Sequence, residues 1–164
     1  MAKKTTVAAM AAALAAVLIF VLIYLYYGAY SGTHRLNGSA ALDSAFPVGR
    51  LMIGNSTYFV YVANSTLLQQ EGYMNATGIG DCRGMGRCAG MLFLFSNDSI
   101  QCFWMKNTLF RMNQSWISDG RINYAYEGLP LSMDNICSRG SMVLETNLSF
   151  PIRLGENIAF LGYG

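Results

Sequence analysis

Charge is what this 164-residue sequence has least of: Asp, Glu, Lys and Arg make up 12% of it, against roughly 25% in an average globular domain. Histidine occurs once, at His34, and lysine after Lys3 and Lys4 only at Lys106. These scarcities exclude functions. A lone histidine far from any motif removes Ser-His-Asp triads and His-ligated zinc hydrolase sites. No cysteines stand at the C-x2-C spacing of zinc frames and thioredoxin-type pairs, so no metal is expected. In the glycine-rich stretch 78–90 the third position of a G-x-G-x-x-G pattern is Arg83, and G-x4-G-K is missing, so no nucleotide cradle or other cofactor site is implied. Beyond Thr33, eight Arg and one Lys balance nine Asp or Glu, and the formal net charge of +2 belongs to Lys3 and Lys4. A domain without net charge offers no basic face to a phosphate backbone, which excludes DNA and RNA as partners.

Thr5 to Thr33 contains no charge at all, and within it Val7–Tyr27 is an unbroken run of 21 Ala, Val, Leu, Ile, Phe, Met and Tyr residues. A helix of that length crosses a hydrocarbon core of ~30 Å. Tyr24, Tyr26, Tyr27 and Tyr30 gather at one end, where amphipathic rings favour the headgroup level, and Lys3 and Lys4 hold the other end in the cytoplasm. A cleaved signal is the rival reading, but its apolar core is shorter and ends in small residues. The expected organisation is a cytoplasmic tip at 1–6, a single-pass membrane anchor at 7–30, a Ser/Gly/Asn/Ala linker at 31–46 and an extracytoplasmic domain at 47–164.

Two further patterns agree with that address. Composition alone would place a Ser or Thr two residues after about 1.4 of the 11 Asn, the spacing of N-glycosylation; seven Asn have it, at 37, 55, 64, 75, 97, 113 and 147. Glycans would also supply the solubility that an uncharged surface lacks. The four cysteines all follow the apolar run, where an oxidising environment favours disulfides. Three pairings are possible, and the preferred one joins Cys82 to Cys88 and Cys102 to Cys137. Low charge and abundant sequons suit an archaeal-like cell surface.

Alternation and turn signals predict strands at 57–63, 91–95, 101–106, 112–117, 121–127, 141–146 and 157–161, with a short helix capped by Asn64 or Ser65. Stretches 78–90 and 128–140 read as irregular, and 148–154 is interrupted by Pro151. The fold class expected is α+β, mainly β: one compact domain of short strands with one or two short helices, preceded by one transmembrane helix.

The segment Gly90–Ile122, with GMLF at Gly90–Phe93 and FWMKNT at Phe103–Thr108, resembles the domain of unknown function 192 family. The resemblance extends to Gln70–Met74, similar to the family's short helix, and to Arg139–Asn147, similar to its R-G strand ending in V-L-E-x-N. It implies a small β-rich fold, often exported, without an established activity. Two positions depart from the pattern: Asn75 and Asn113 stand where an Arg and an Asp are usual. If that pair is buried in relatives, Asn75 and Asn113 are shielded here too, which leaves Asn37, Asn55, Asn64, Asn97 and Asn147 as the glycosylation candidates.

Lys106 could act as a base or nucleophile if desolvated, but a stem laid over Trp104 or an ion pair with Glu145 is the preferred reading. The family segments converge on a groove of Trp104, Lys106, Asn107, Arg139 and Glu145. The expected function is a non-catalytic, membrane-anchored module that binds a small molecule, an envelope polysaccharide or a protein at the cell surface. An envelope hydrolase using Glu145 and Lys106 is the alternative, and a thiol-disulfide protein using Cys82 and Cys88 is a further one.

Overall fold

A computed structural model of the chain describes residues 17–24 and 39–164. Residues 17–24 are helical with exposed side chains, and among the described residues no helix is long and apolar enough to cross a membrane. The rest of the expected anchor, the tip at 1–6, His34 and Asn37 lie outside the described residues.

The domain is a single seven-stranded sheet with two short helices, in agreement with a mainly β α+β fold. In chain order it runs α1 (Ser39–Ala45), β1 (Val48–Ile53), β2 (Ser56–Ala63), α2 (Thr66–Glu71), β3 (Cys88–Phe103), β4 (Met112–Ser118), β5 (Arg121–Gly128), β6 (Ile136–Thr146) and β7 (Ile158–Tyr163). The strand order is β5-β4-β6-β3-β2-β1-β7. Every pairing is antiparallel except β2 with β3. A parallel pair needs a long crossover, and α2 with the loop behind it provides it. At one end the two sheet edges meet: Arg121 bridges Asn157, and Ile158 N–H donates to the Gly120 carbonyl at 2.8 Å. The sheet is thereby bent into a half-barrel.

Side chains alternate across each strand, so successive residues feed two cores. Val60, Val62, Leu92, Ile117 and Leu144 pack on one face; Tyr61, Ala63, Met91, Phe93, Trp116 and Val143 pack on the other. Burial on both faces explains the nearly continuous apolar runs of the central strands. The second core is roofed by Leu42 and Phe46 of the first helical segment, by Tyr73 and by Cys82.

Several elements differ from the sequence reading. The segment 39–46, expected within a linker, is α1 and its end, and Leu42 and Phe46 are fully buried. Its Ser and Ala content resembles a linker, but two large apolar residues four apart lie on one helical face. β1 was not expected, although Val48, Leu51 and Ile53 point inward. The two strands expected at 91–95 and 101–106 are one, β3, because a register shift between Leu94 and Ser99 carries pairing through the polar Ser96-Asn97-Asp98 stretch. β3 ends at Phe103, which leaves Trp104 to Asn107 in a loop. β6 starts at Ile136, inside the stretch expected to be irregular.

Both expected disulfides are present. Cys82–Cys88 closes the crossover loop, and Cys102–Cys137 joins directly opposed residues of β3 and β6. Cys137 was expected in a loop; it is on a strand.

Tyr61 links α1 to this crossover. Its hydroxyl donates to Asp43 at 2.6 Å and accepts from Cys82 N–H at 3.0 Å, and burial followed by the Asp43 hydrogen bond pushes its pKa up to about 12. Tyr61→Phe is expected to lower stability by about 1–2 kcal/mol in urea unfolding, the effect of leaving the buried Cys82 N–H without a partner and the Asp43 carboxylate with only Arg83 N–H. A wild-type midpoint would show that the hydroxyl does not couple the two segments.

Candidate functional site

A groove of about 660 Å³ opens between α2 with the turn after it, the middle of β3, and the loop that follows β3. One wall is Gln69 to Met74. α2 begins at Ser65, whose hydroxyl accepts from Leu68 N–H, and ends at Gly72, where φ is 46° and N–H bonds to the Leu68 carbonyl at 2.9 Å. That stop turns Tyr73 inward, where it is 2% exposed and donates to the Ile79 carbonyl at 3.1 Å. The floor comes from β3: Phe93 and Phe95 share a face at i, i+2, and Phe103 packs edge-on against both, at 4.8 and 6.3 Å between ring centres.

Glu145 is a charged residue of β6 that lines this groove and is 5% exposed. It sits opposite Gln114 in the β4–β6 register, and the Gln114 amide donates to its Oε1 at 2.9 Å. Burial raises the Glu145 carboxyl to about 7, against a smaller downward pull from the Gln114 hydrogen bond. Burial also raises Tyr73 well above the ordinary tyrosine value, helped by the charge of Glu145. A carboxyl that titrates near neutral pH can donate or accept a proton under physiological conditions.

At the mouth, Trp104 and Lys106 are exposed, and the Lys106 ammonium stands 5.0 Å from the centre of the Trp104 ring. This is the stacked arrangement foreseen from the sequence. The alternative ion pair with Glu145 is not formed: the ion pairs among the described residues are Arg111–Glu127 and Arg139–Asp98.

Three of the five expected groove residues, Trp104, Lys106 and Glu145, therefore line one concavity, and two do not. Arg139 is exposed on β6, with its Nε 3.2 Å from Asp98. The Ser118 hydroxyl and then Arg139 hold the Asp98 carboxyl below its usual range. Strict alternation would put Arg139 and Glu145, six residues apart, on one face of β6, but the register shift opposite Leu94–Ser99 lies between them and breaks it. Asn107 has φ +57° and works as a joint: its carbonyl accepts from Asn75 N–H at 2.8 Å and its amide lies 3.8 Å from Met74 Sδ. Tyr73, Phe93, Phe95 and Gln101 were missed as groove residues. The i, i+2 pair of phenylalanines and the Gln70–Met74 segment were the available signals.

Asn75 is exposed and Asn113 half-buried, so shielding does not separate Asn75 from the other sequons. No hydrogen bond joins the two; the Asn113 amide donates to the Asn147 carbonyl at 3.4 Å, and neither residue lines the groove. Asn55, Asn64, Asn97 and Asn147 are exposed. Cys82 is fully buried, which denies a thiol-exchange partner access to that sulfur. Among the described residues no cluster of three or more His, Cys, Asp or Glu is placed to hold a metal ion.

Comparisons with known proteins extend the likeness beyond the two motifs to most of the domain. A crystal structure of a candidate transcription regulator from Sinorhizobium meliloti 1021 superposes with a TM-score of 0.61 at 22% identity, covering 70% of this chain and 95% of its own. A protein of unknown function from Novosphingobium aromaticivorans DSM 12444 gives 0.58 at 19% identity, covering 73% and 96%. At these identities the likeness concerns the fold. No match was found among curated proteins. The sequence profile of DUF192, described as "Uncharacterized ACR", matches residues 50–155, from β1 to the turn before β7. With more than half of the chain matched, and with GMLF and FWMKNT both framing the groove, the chain belongs to the domain of unknown function 192 family.

Proposed function

We propose that the protein is a membrane-tethered, extracytoplasmic ligand-binding module whose binding site is the groove between Trp104 and Glu145. The observation that carries this reading is the placement of three groups of complementary chemistry in one concavity: an aromatic face, an ammonium and a buried, readily protonated carboxyl. Apolar walls with a few convergent polar groups are the general form of small-ligand sites. The apolar run at 7–27 supplies the tether, and the two disulfides and the exposed sequon asparagines fit an oxidising, glycosylating compartment. Asn37, Asn55, Asn64, Asn97 and Asn147 are glycan acceptors on this reading, and the exposed Asn75 joins them.

The test is binding of fractionated envelope extract by the full-length protein and by a Trp104→Ala/Lys106→Ala variant. Both side chains are exposed, so the variant should fold. Affinity is expected to fall by about tenfold or more, which corresponds to ~1.4 kcal/mol. Equal binding by both proteins rejects the groove.

The near-neutral Glu145 carboxyl favours a second reading, an envelope hydrolase in which Glu145 is the general acid or base and Lys106 stabilises developing charge. Consumption of a bound polysaccharide by the wild type but not by Glu145→Gln would select it over simple binding.

A further inference from the structure

Beside the groove mouth, two loops carry more exposed apolar surface than the half-barrel needs. Residues 104–111 and 129–135 run side by side, joined by Met105 N–H to the Ser132 carbonyl at 3.1 Å and by Leu131 N–H to the Thr108 carbonyl at 3.0 Å. On this pair Trp104, Leu109, Leu129, Leu131 and Met133 are between 41% and 59% exposed. Leu131 has φ +61°, a left-handed conformation that bulky side chains disfavour, and it stays there with its side chain in solvent. That conformation belongs to the turn Leu129–Ser132, closed by Ser132 N–H to the Leu129 carbonyl at 3.2 Å with Pro130 at its second position, and the turn leaves the leucine outward. Clustered exposed apolar side chains on a folded domain mark an interaction surface.

We infer that this loop pair is a lipid-docking face, which seats its Leu, Met and Trp side chains at the boundary between headgroups and acyl chains. The inference rests on the tether proposed above. The apolar run ends at Tyr27 and α1 starts at Ser39, so the connecting chain, even fully extended, keeps the domain within roughly 40 Å of the bilayer. Composition also favours lipid over protein: a tryptophan sits with three leucines and a methionine, and the domain's one lysine, Lys106, is beside them with a long stem to reach headgroups. The neighbouring charges do not oppose docking strongly. Arg111 is paired with Glu127, and Asp134 accepts a hydrogen bond from the Ser132 hydroxyl at 3.0 Å. Because Trp104 and Lys106 belong both to this face and to the groove lining, docking would place the groove mouth at the membrane surface.

The test uses the full-length protein in phosphatidylcholine/phosphatidylglycerol vesicles with lipid brominated on the acyl chain. The sequence has two tryptophans, and Trp116 is fully buried in the core, which makes it an internal control for Trp104. Trp104 emission, taken as the difference from a Trp104→Phe variant, is expected to shift to the blue and fall about twofold with brominated lipid, as for a ring at interfacial depth. Leu109→Asp with Leu131→Asp should abolish the quenching while the protein still floats with the vesicles. Flotation with unquenched Trp104 overturns the docking face and leaves the tether standing. Absence of flotation overturns both. Self-association that covers Trp104 without quenching assigns the face to a second copy and also overturns the inference.

Discussion

Gly90→Ala is expected to leave the domain unfolded at ambient temperature, or to remove about 4 kcal/mol or more of its stability, the upper range for single substitutions. Gly90 opens the GMLF segment and has φ +144°, a conformation L side chains rarely adopt. A Cβ built there would fall onto the Glu145 carbonyl oxygen of the neighbouring strand. Relief by movement is blocked on both sides, because β3 is held between β2 and β6 at the register shift beside Val60. Gly84 is the control: its φ is +69°, but nothing stands near the added atom, so Gly84→Ala should lose only about 1 kcal/mol. Urea unfolding of both variants measures the contrast. Similar midpoints would show that the close approach of β3 to β6 is not what the glycine permits. The same approach sets the backbone of Glu145, so the first residue of the motif acts on the groove through packing.

Glu145→Gln is expected to stabilise the protein at pH 8 by up to about 3 kcal/mol and to leave it nearly unchanged at pH 4. The sign follows from the direction of the shift. Burial raises the carboxyl from 4.5 to about 7 in the folded state, so between those values the folded protein binds more protons than the unfolded chain. Stability from this group is full below about 4.5, and it declines as the pH rises through 7, when a buried charge forms with one amide as its partner. Glutamine keeps that partner, since its carbonyl can accept from Gln114, and it carries no charge. Unfolding free energies from pH 4 to 9 should therefore fall with pH in the wild type and stay flatter in the variant. Parallel profiles would mean that Glu145 is solvated. A protein that keeps such a carboxyl gives up stability at neutral pH, which suits a functional group better than a structural one.

The sheet was largely legible in the sequence because alternation survives in single strands: TYFVYVA and MNQSWI each reveal two faces without reference to their neighbours. Two elements escaped. α1 has the composition of a linker, and its role rests on Leu42 and Phe46 meeting a core assembled from strands far along the chain. β3 contains a run of four polar residues, Ser96 to Ser99, between the two stretches expected as separate strands, and only pairing with β6 across a bulge keeps it continuous. In the groove, Trp104, Lys106 and Glu145 were reachable through the family segments. What made Glu145 distinctive was not. The strand order sets Gln114 beside it, and the segment after α2 brings Tyr73 to the same groove; no local pattern encodes either placement. Arg139 failed for the converse reason: it lies in the same strand and motif as Glu145, yet the register shift sends it to Asp98.

A buried carboxyl at the base of the groove, within reach of a ligand, should declare itself in the carboxyl carbon resonance of Glu145, followed by NMR from pH 4 to 9 with and without the envelope fraction that binds. A midpoint near 7 is expected for the free protein, and a displaced midpoint when the fraction is present. A midpoint near 4.5 in the free protein, or one that a bound fraction leaves unmoved, would contradict that placement.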